Sequence, residues 1–209
     1  ITATITVTPT ANGCPGIPST YTITVNPTPL VAVPADAVVC NGDPIAASNF
    51  TSTTPGSSFD WTNSDPSIGL AVSGTGNTPA FAGTNTSALP VTATIAVSPT
   101  ANGCPGIPSS YSVTVNPTPV VTVPADFAVC NSVSVAASNF TSTTPGATFS
   151  WTNSDASIGL AASGTGNTPS FTGTNNSALP VTATITVTPT ANGCPGTPST
   201  YTITINPTP

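Results

Sequence analysis

The 209-residue sequence contains no Lys, Arg or His, and also no Glu or Met. Its side-chain charge comes from six aspartates, which give a net charge of −6. Affinity for phosphate backbones rests on Lys and Arg that neutralise charge and release counterions, so a nucleic-acid partner is not expected. The same lack argues against binding to anionic lipid headgroups. The usual general bases and oxyanion-stabilising cations are missing, and a Ser without a His or Lys neighbour has nothing to activate it. No run approaches the roughly 20 consecutive apolar residues that a membrane span requires, so no membrane insertion is expected within these residues. No stretch carries a helical period.

The aspartates do not rescue catalysis or metal binding. Asp60 is replaced by Ser150 and Asp43 by Val133 in the second copy of an internal repeat, which leaves Asp36 with Asp126 and Asp65 with Asp155. Asp65 lies in a turn, where capping its own backbone accounts for it. Calcium needs about six to eight oxygen ligands, usually with several carboxylates, and neither Asp36 nor Asp65 has that company in sequence. Gly74-Thr75-Gly76-Asn77 reads as a turn rather than a phosphate cradle, since no helix follows it. The expectation is a protein that is not an enzyme, with no cofactor and no metal.

What the sequence does contain is a strict period. Cys14, Cys104 and Cys194 are 90 residues apart, as are Cys40 and Cys130, Trp61 and Trp151, and Tyr21, Tyr111 and Tyr201. That length suits a whole small domain rather than a solenoid unit. With boundaries placed after each Asn-Pro-Thr-Pro, the chain divides into 1–29, the C-terminal hairpin of an incomplete repeat, and two complete repeats, 30–119 and 120–209. It opens in the middle of a repeat, which suggests a processed product or a window from a longer polypeptide. The Pro-rich linkers are short and should act as semi-rigid spacers.

Content of 25 Pro and 17 Gly, read alone, suggests disorder, but the alternation of apolar and hydroxyl residues argues for strands. Val91, Ala93, Ile95 and Val97 alternate with Thr92, Thr94, Ala96 and Ser98, and Tyr111, Val113 and Val115 alternate with Ser112 and Thr114. Asn102-Gly103-Cys104-Pro105-Gly106 supplies the turn between these arms, and proline closes the unit because it cannot continue a ladder. Upstream, Leu30–Val33 and Ala37–Val39 read as a split first strand and Ile45–Phe50 as a second. Phe59 and Trp61 share one face of a central strand, and Ile68–Val72 and Pro79–Ala82 read as further strands. Between the two repeats Phe59 and Trp61 persist as Phe149 and Trp151 while their outward neighbours change, which marks these four as core. About seven short strands around one Trp predict an all-β fold: tandem immunoglobulin-like sandwiches joined by Pro-rich linkers.

Val39-Cys40-Asn41-Gly42, the segment from Phe59 to Leu70, Gly74-Thr-Gly-Asn, and Asn102-Gly-Cys-Pro-Gly ending in Val115-Asn-Pro-Thr-Pro119 resemble the PKD-like, immunoglobulin-like repeats of very large secreted Bacteroidetes proteins. The resemblance spans the whole chain. It implies spacer modules of cell-surface adhesins, exported by the type IX route, and no catalytic or binding residue to carry over.

In an exported protein the five cysteines, with no CxxC spacing and no His, point to disulfides rather than zinc. The expected pairs are Cys40 with Cys104 and Cys130 with Cys194, leaving Cys14 unpaired. Each would close a loop of about 65 residues, worth roughly 4 kcal/mol on the chain-entropy model. That pairing requires a short or displaced first strand. In a simple immunoglobulin order the two positions lie at opposite poles, and the cysteines are then free or join neighbouring chains. Glycosylation sequons occur at Asn49, Asn85, Asn139 and Asn175.

The reading from sequence is a non-enzymatic, extracellular structural region on a bacterial surface, the stalk or fibre of an adhesin, whose partners are neighbouring copies of the same repeat. An alternative is a subunit of an extracellular filament or sheath completed by strand addition, motivated by the orphan hairpin 1–29. A third is a glycan-binding module, for which Tyr21, Tyr111 and Tyr201 are the spare aromatics, all predicted inward.

Overall fold

A computed structural model describes residues 1–208; Pro209, the last residue of the second expected repeat, lies outside the described residues. Within residues 30–119 the principal sheet has the order Ala37–Cys40, Ser109–Asn116, Val91–Ala101, Ser58–Asn63, Ser73–Thr75. The Ala37–Cys40 strand runs parallel to Ser109–Asn116, and the other neighbours are antiparallel. Residues 120–208 repeat this sheet with Phe127–Cys130, Ser199–Asn206, Val181–Ala191, Thr148–Asn153 and Ser163–Thr165. The facing layer is built from short pairs: Pro44–Ile45 with Phe81–Ala82 in the first unit, and Val121–Thr122 with Thr141–Ser142 and Ser134–Val135 with Phe171–Thr172 in the second. These are two all-β, immunoglobulin-like sandwiches in tandem, as the turn spacing predicts.

The period of two puts one face of each long strand inside. Ala93, Ile95 and Val97 are fully buried opposite Val113 and Tyr111, and Trp61, Ile68, Leu70 and Phe50 close the same core. Removing each large aliphatic side chain from water contributes about 1.5–3 kcal/mol, which suits a unit with few aromatic residues. Trp61 and Trp151 are both 4% exposed. Phe59 and Phe149 share their strand face but are only partly buried, packed against the core edge-on to Phe50 and Phe140. On the wet face the hydroxyls pair across strands, Thr92 with Thr114 and Thr182 with Thr204, each at 2.8 Å.

Two local expectations are corrected. Residues 66–68 and 156–158 form 3₁₀ turns rather than the start of a strand, because the Asp65 and Asp155 carboxylates accept the Ser67 and Ser157 N–H and nucleate a turn. The sheet resumes at Ser73–Thr75, so Gly74 is a strand residue, and the reversal falls at Gly76 with φ of 71°. Gly74 lies flat against the Trp61 indole, where an added Cβ would collide with the ring.

The orphan segment 1–29 forms the expected hairpin, with Ala3 opposite Ile23 and Ile5 opposite Tyr21 in the register of the complete units. Its inner face has no opposing layer. Tyr21 is 55% exposed, whereas Tyr111 and Tyr201 are buried.

Candidate functional site at the junction between repeats

The principal correction concerns the cysteines. Cys40 bonds Cys194, with Cα atoms 5.6 Å apart, and Cys14, Cys104 and Cys130 carry free thiols. The expected within-repeat pairs, Cys40 with Cys104 and Cys130 with Cys194, do not form, and strand geometry explains why. Cys40 stands level with Asn116 in the parallel ladder, at the C-terminal pole of its unit. Cys104 pairs with Ala101 beyond the other end of the same strand, whose first residue is Ser109. At about 3.3 Å per residue these positions are more than roughly 20 Å apart, while a disulfide needs Cα atoms within about 7 Å. The hairpin tip of the second unit instead faces the C-terminal pole of the first, and Cys194 reaches Cys40 across the junction.

The tip's shape follows from its sequence. Asn192 and Gly193 both take positive φ, 51° and 77°, the pair of left-handed residues that a tight hairpin turn demands. Cys194 then pairs with Ala191, and Gly196 donates its N–H to the Pro189 carbonyl at 2.8 Å. Gly196 also lies against the Pro119 carbonyl oxygen, so closely that a Cβ there would collide with it. Thr197 donates its N–H to that same oxygen at 3.1 Å, which fastens the linker to the root of the tip.

On the other side of the junction, Asn41 organises the pole. Its N–H donates to the Asn116 carbonyl at 2.9 Å, its Nδ2 donates to Thr118 Oγ1 at 3.1 Å, and its Oδ1 accepts the Asn85 N–H at 2.8 Å. Asn116 Nδ2 donates to the Asn192 carbonyl at 3.3 Å, a direct bond from one unit to the next. Pro117 and Pro119 are buried. Two covalent paths, a buried Pro-Thr-Pro linker and a disulfide, therefore join the units. A semi-rigid spacer was expected; the observed joint is a double-stranded clasp.

The aspartates are local fasteners. Asp36 Oδ1 accepts the Ser112 N–H at 2.6 Å and Asp126 Oδ1 the Thr202 N–H at 2.7 Å, each pinning the loop before the parallel strand to the sheet edge. The Ser112 backbone and hydroxyl hold the Asp36 carboxyl below the ordinary aspartate range, and the Ser67 and Ser157 hydroxyls and N–H groups do the same for Asp65 and Asp155. Among the described residues no group of three or more His, Cys, Asp or Glu is placed to hold a metal ion. No helix among them is long and apolar enough to cross a membrane.

The sequons divide by burial. Asn85 and Asn175 are 5% exposed and donate Nδ2 to the Val115 and Ile205 carbonyls at 2.7 Å, so their amides are structural. Asn49 and Asn139 stand exposed. Sequence reasoning missed Asn41 and Asn116 as junction residues. Their signal was recurrence of Cys-Asn and of Asn-Pro-Thr-Pro at the same period, but a period does not say which copy touches which.

Two sandwiches of immunoglobulin-like order, clasped pole to pole, define a tandem β-sandwich repeat protein. The family described as the PKD-like domain matches residues 37–119 and 127–209, and the chain belongs to it. Such folds generally serve as binding or structural modules rather than catalysts, and they are typical of extracellular domains. Among solved structures, DIP-gamma IG1+IG2 is similar over 87% of this chain and 99% of that chain, with 9% identity and a TM-score of 0.52. Protocadherin Gamma B2 extracellular cadherin domains 3–6 are similar over 92% of this chain and 56% of that one, with 15% identity and a TM-score of 0.50. At these identities the likeness concerns the fold. No curated protein matches the sequence.

Proposed function

We propose that the chain is a non-enzymatic stretch of a stalk or fibre on a bacterial cell surface, of the kind carried by large adhesins that Bacteroidetes export by the type IX route. Its repeats run from residue 30 and from residue 120, and 1–29 is the closing hairpin of a further copy. The observation that carries this reading is the junction. A joint tied by both a buried linker and the Cys40–Cys194 bond resists bending and twisting, which suits a load-bearing spacer and serves no purpose in independent binding modules. The absence of Lys and Arg supports it, since trypsin-like proteases have no cleavage site. Exposed Asn49 and Asn139 are the positions open to glycosylation. Small-angle scattering of the oxidised protein tests the reading. A stalk segment gives a fixed end-to-end length that reduction loosens, and a compact or variable arrangement in the oxidised state would sink it.

A second reading has its own observation. The face of the 1–29 hairpin that carries Ile5, Tyr21 and Ile23 matches the buried Ile185, Tyr201 and Ile203 and differs from the second copy only at Val113, yet Tyr21 and Ile23 lie exposed and Ile5 half-buried. In a filament, strands from another subunit would cover it. The mass of the native polypeptide separates the two: a chain of many repeats supports the stalk, whereas a 209-residue product that polymerises supports the filament. Tyr21 is the exposed aromatic of the three tyrosines, but its equivalents are core residues, so the glycan-binding reading gains nothing from it.

A further inference from the structure

The Cys40–Cys194 bond is one instance of a joint whose two halves recur elsewhere in the chain, unpaired. Cys130 is the repeat equivalent of Cys40, and Cys14 and Cys104 are the equivalents of Cys194. We propose that the Cys130 pole is a second, preformed socket of the same joint, built for a hairpin tip of the kind that carries Cys14, and that the 209-residue protein in solution therefore docks that tip from a second copy of itself and closes the joint by a disulfide.

The socket is assembled without its occupant. Asn131 donates its N–H to the Asn206 carbonyl at 2.9 Å and its Nδ2 to Thr208 Oγ1 at 3.0 Å, and its Oδ1 accepts the Asn175 N–H at 2.9 Å. These are the bonds Asn41 makes in the filled joint, within 0.1 Å of 2.9, 3.1 and 2.8 Å. Cys130 is exposed and stands level with Asn206, as Cys40 does with Asn116. Asn206 is the counterpart of Asn116, whose amide grips the incoming turn carbonyl in the filled joint.

The plug is equally well formed. Asn12 and Gly13 have φ of 51° and 81°, against 51° and 77° at Asn192 and Gly193, and Cys14 pairs with Ala11 as Cys194 pairs with Ala191. Gly16 donates to the Pro9 carbonyl at 2.7 Å, which reproduces the tip's closing bond. Cys14 is exposed, whereas Cys104 is partly covered and accepts from Asn26 Nδ2 at 3.9 Å, so the tip at Cys104 is already occupied by residues of the preceding segment. That contact places Asn26 against the Cys104 tip much as Asn116 is placed against the Cys194 tip, so the junction at residue 30 follows the plan of the junction at residue 120.

Bond formation removes one proton from each thiol and two electrons from the pair as the new S–S bond forms. Oxidised glutathione supplies the oxidant: its own S–S bond breaks, through a mixed disulfide, and it leaves as two reduced thiols. The proposal rests on the reading of the chain as a repeat array, because it applies the observed joint to other copies. The two fail differently: that reading fails in the scattering length, and this one in the pattern of links.

The test incubates the 209-residue protein at high micromolar concentration in a reduced/oxidised glutathione buffer, so that links equilibrate. Free thiols are then blocked, and peptides are mapped without reduction after thermolysin digestion. The expected result is intermolecular Cys130–Cys14 links exceeding both Cys14–Cys14 and Cys130–Cys130 links by roughly tenfold, since docking raises the effective concentration of the matching pair. The Cys14→Ser and Cys130→Ser variants lose the multimers, and Cys104→Ser keeps them. A mixture of links at their statistical ratio, the absence of multimers, or a Cys130–Cys194 link within one chain would each overturn the proposal.

Discussion

Removing the junction disulfide tests the clasp most directly, because its effect is predicted on both units at once. The bond closes a loop of sequence separation 154, which on the chain-entropy model is worth about 5 kcal/mol when everything unfolds. Each unit also feels it alone. If the first unit stays folded, Cys40 is held beside Asn116, so unfolding of the second must occur inside a loop of roughly 80 residues running from Asn116 to Cys194, a constraint worth about 4.5 kcal/mol. The converse loop, from Cys40 to Val120, is nearly the same length, since Val120 is bridged to Thr197 beside the tip. Cys194→Ser, with the remaining thiols blocked, therefore eases the unfolding of either unit alone by about 4.5 kcal/mol, although the substitution lies in only one, and the unfolding of both by about 5 kcal/mol in all. With m of about 2 kcal/mol/M per unit for guanidinium, the shared loss of about 5 kcal/mol lowers the two midpoints by roughly 1.3 M each. The single Trp in each core separates the two transitions, Trp61→Phe leaving the second unit as the fluorescent reporter and Trp151→Phe the first. Connectivity is checked independently with Val120→Lys, an exposed position that becomes the chain's sole trypsin site. Once cleaved, the two fragments remain together until a reductant is added. If they separate without reductant, or if Cys194→Ser shifts only the second unit, the clasp argument is wrong.

Other outcomes follow from single contacts. Gly42 adopts φ of 91°, and its repeat equivalent Ser132 adopts 68°, a left-handed conformation costing a side chain roughly 1 kcal/mol; Ser132→Gly should stabilise the second unit by about that amount in a denaturant titration. Trp151→Ala leaves a large cavity under Gly164 and should cost about 3–5 kcal/mol in the same assay, while Phe149→Ala, at the core's edge, costs clearly less. Asp36, Asp65 and Asp155 have folded pKa values below their unfolded ones, so the stability they add is present above the unfolded value near 4 and disappears as pH falls through the folded values. The thermal midpoint should be flat from neutral pH to about pH 5 and drop below about pH 4, and Asp36→Asn should flatten part of that drop. Asn85→Ala removes two bonds to backbone carbonyls from a buried amide and should cost about 2 kcal/mol, whereas Asn49→Ala, exposed, should leave the thermal midpoint within about 1 °C.

Much of the fold was legible because its signals are local. Alternation along 91–98 and 111–115 dictates which side chains face inward, Asn-Gly dictates the turn, and the persistence of Trp61 as Trp151 against varying neighbours dictates the core. The 3₁₀ turn at 66–68 was missed because Ile68 and Leu70 are also spaced as strand residues; only the Asp65 carboxylate on the Ser67 N–H tips the backbone the other way.

The cysteine pairing belongs to a different class. Composition and period established that the chain is a β repeat with thiols at two recurring positions, and they left open whether a thiol meets its partner in the same copy, the next copy or another chain. That choice depends on which poles touch. It is decided by the parallel strand that carries Cys40 to the C-terminal end of its sheet and by the linker that brings the next hairpin tip against it. Inward and outward faces are set by neighbours along the chain and can be read from it. Contacts between poles are set by the summed length and direction of every strand between them, and only the folded chain fixes that sum.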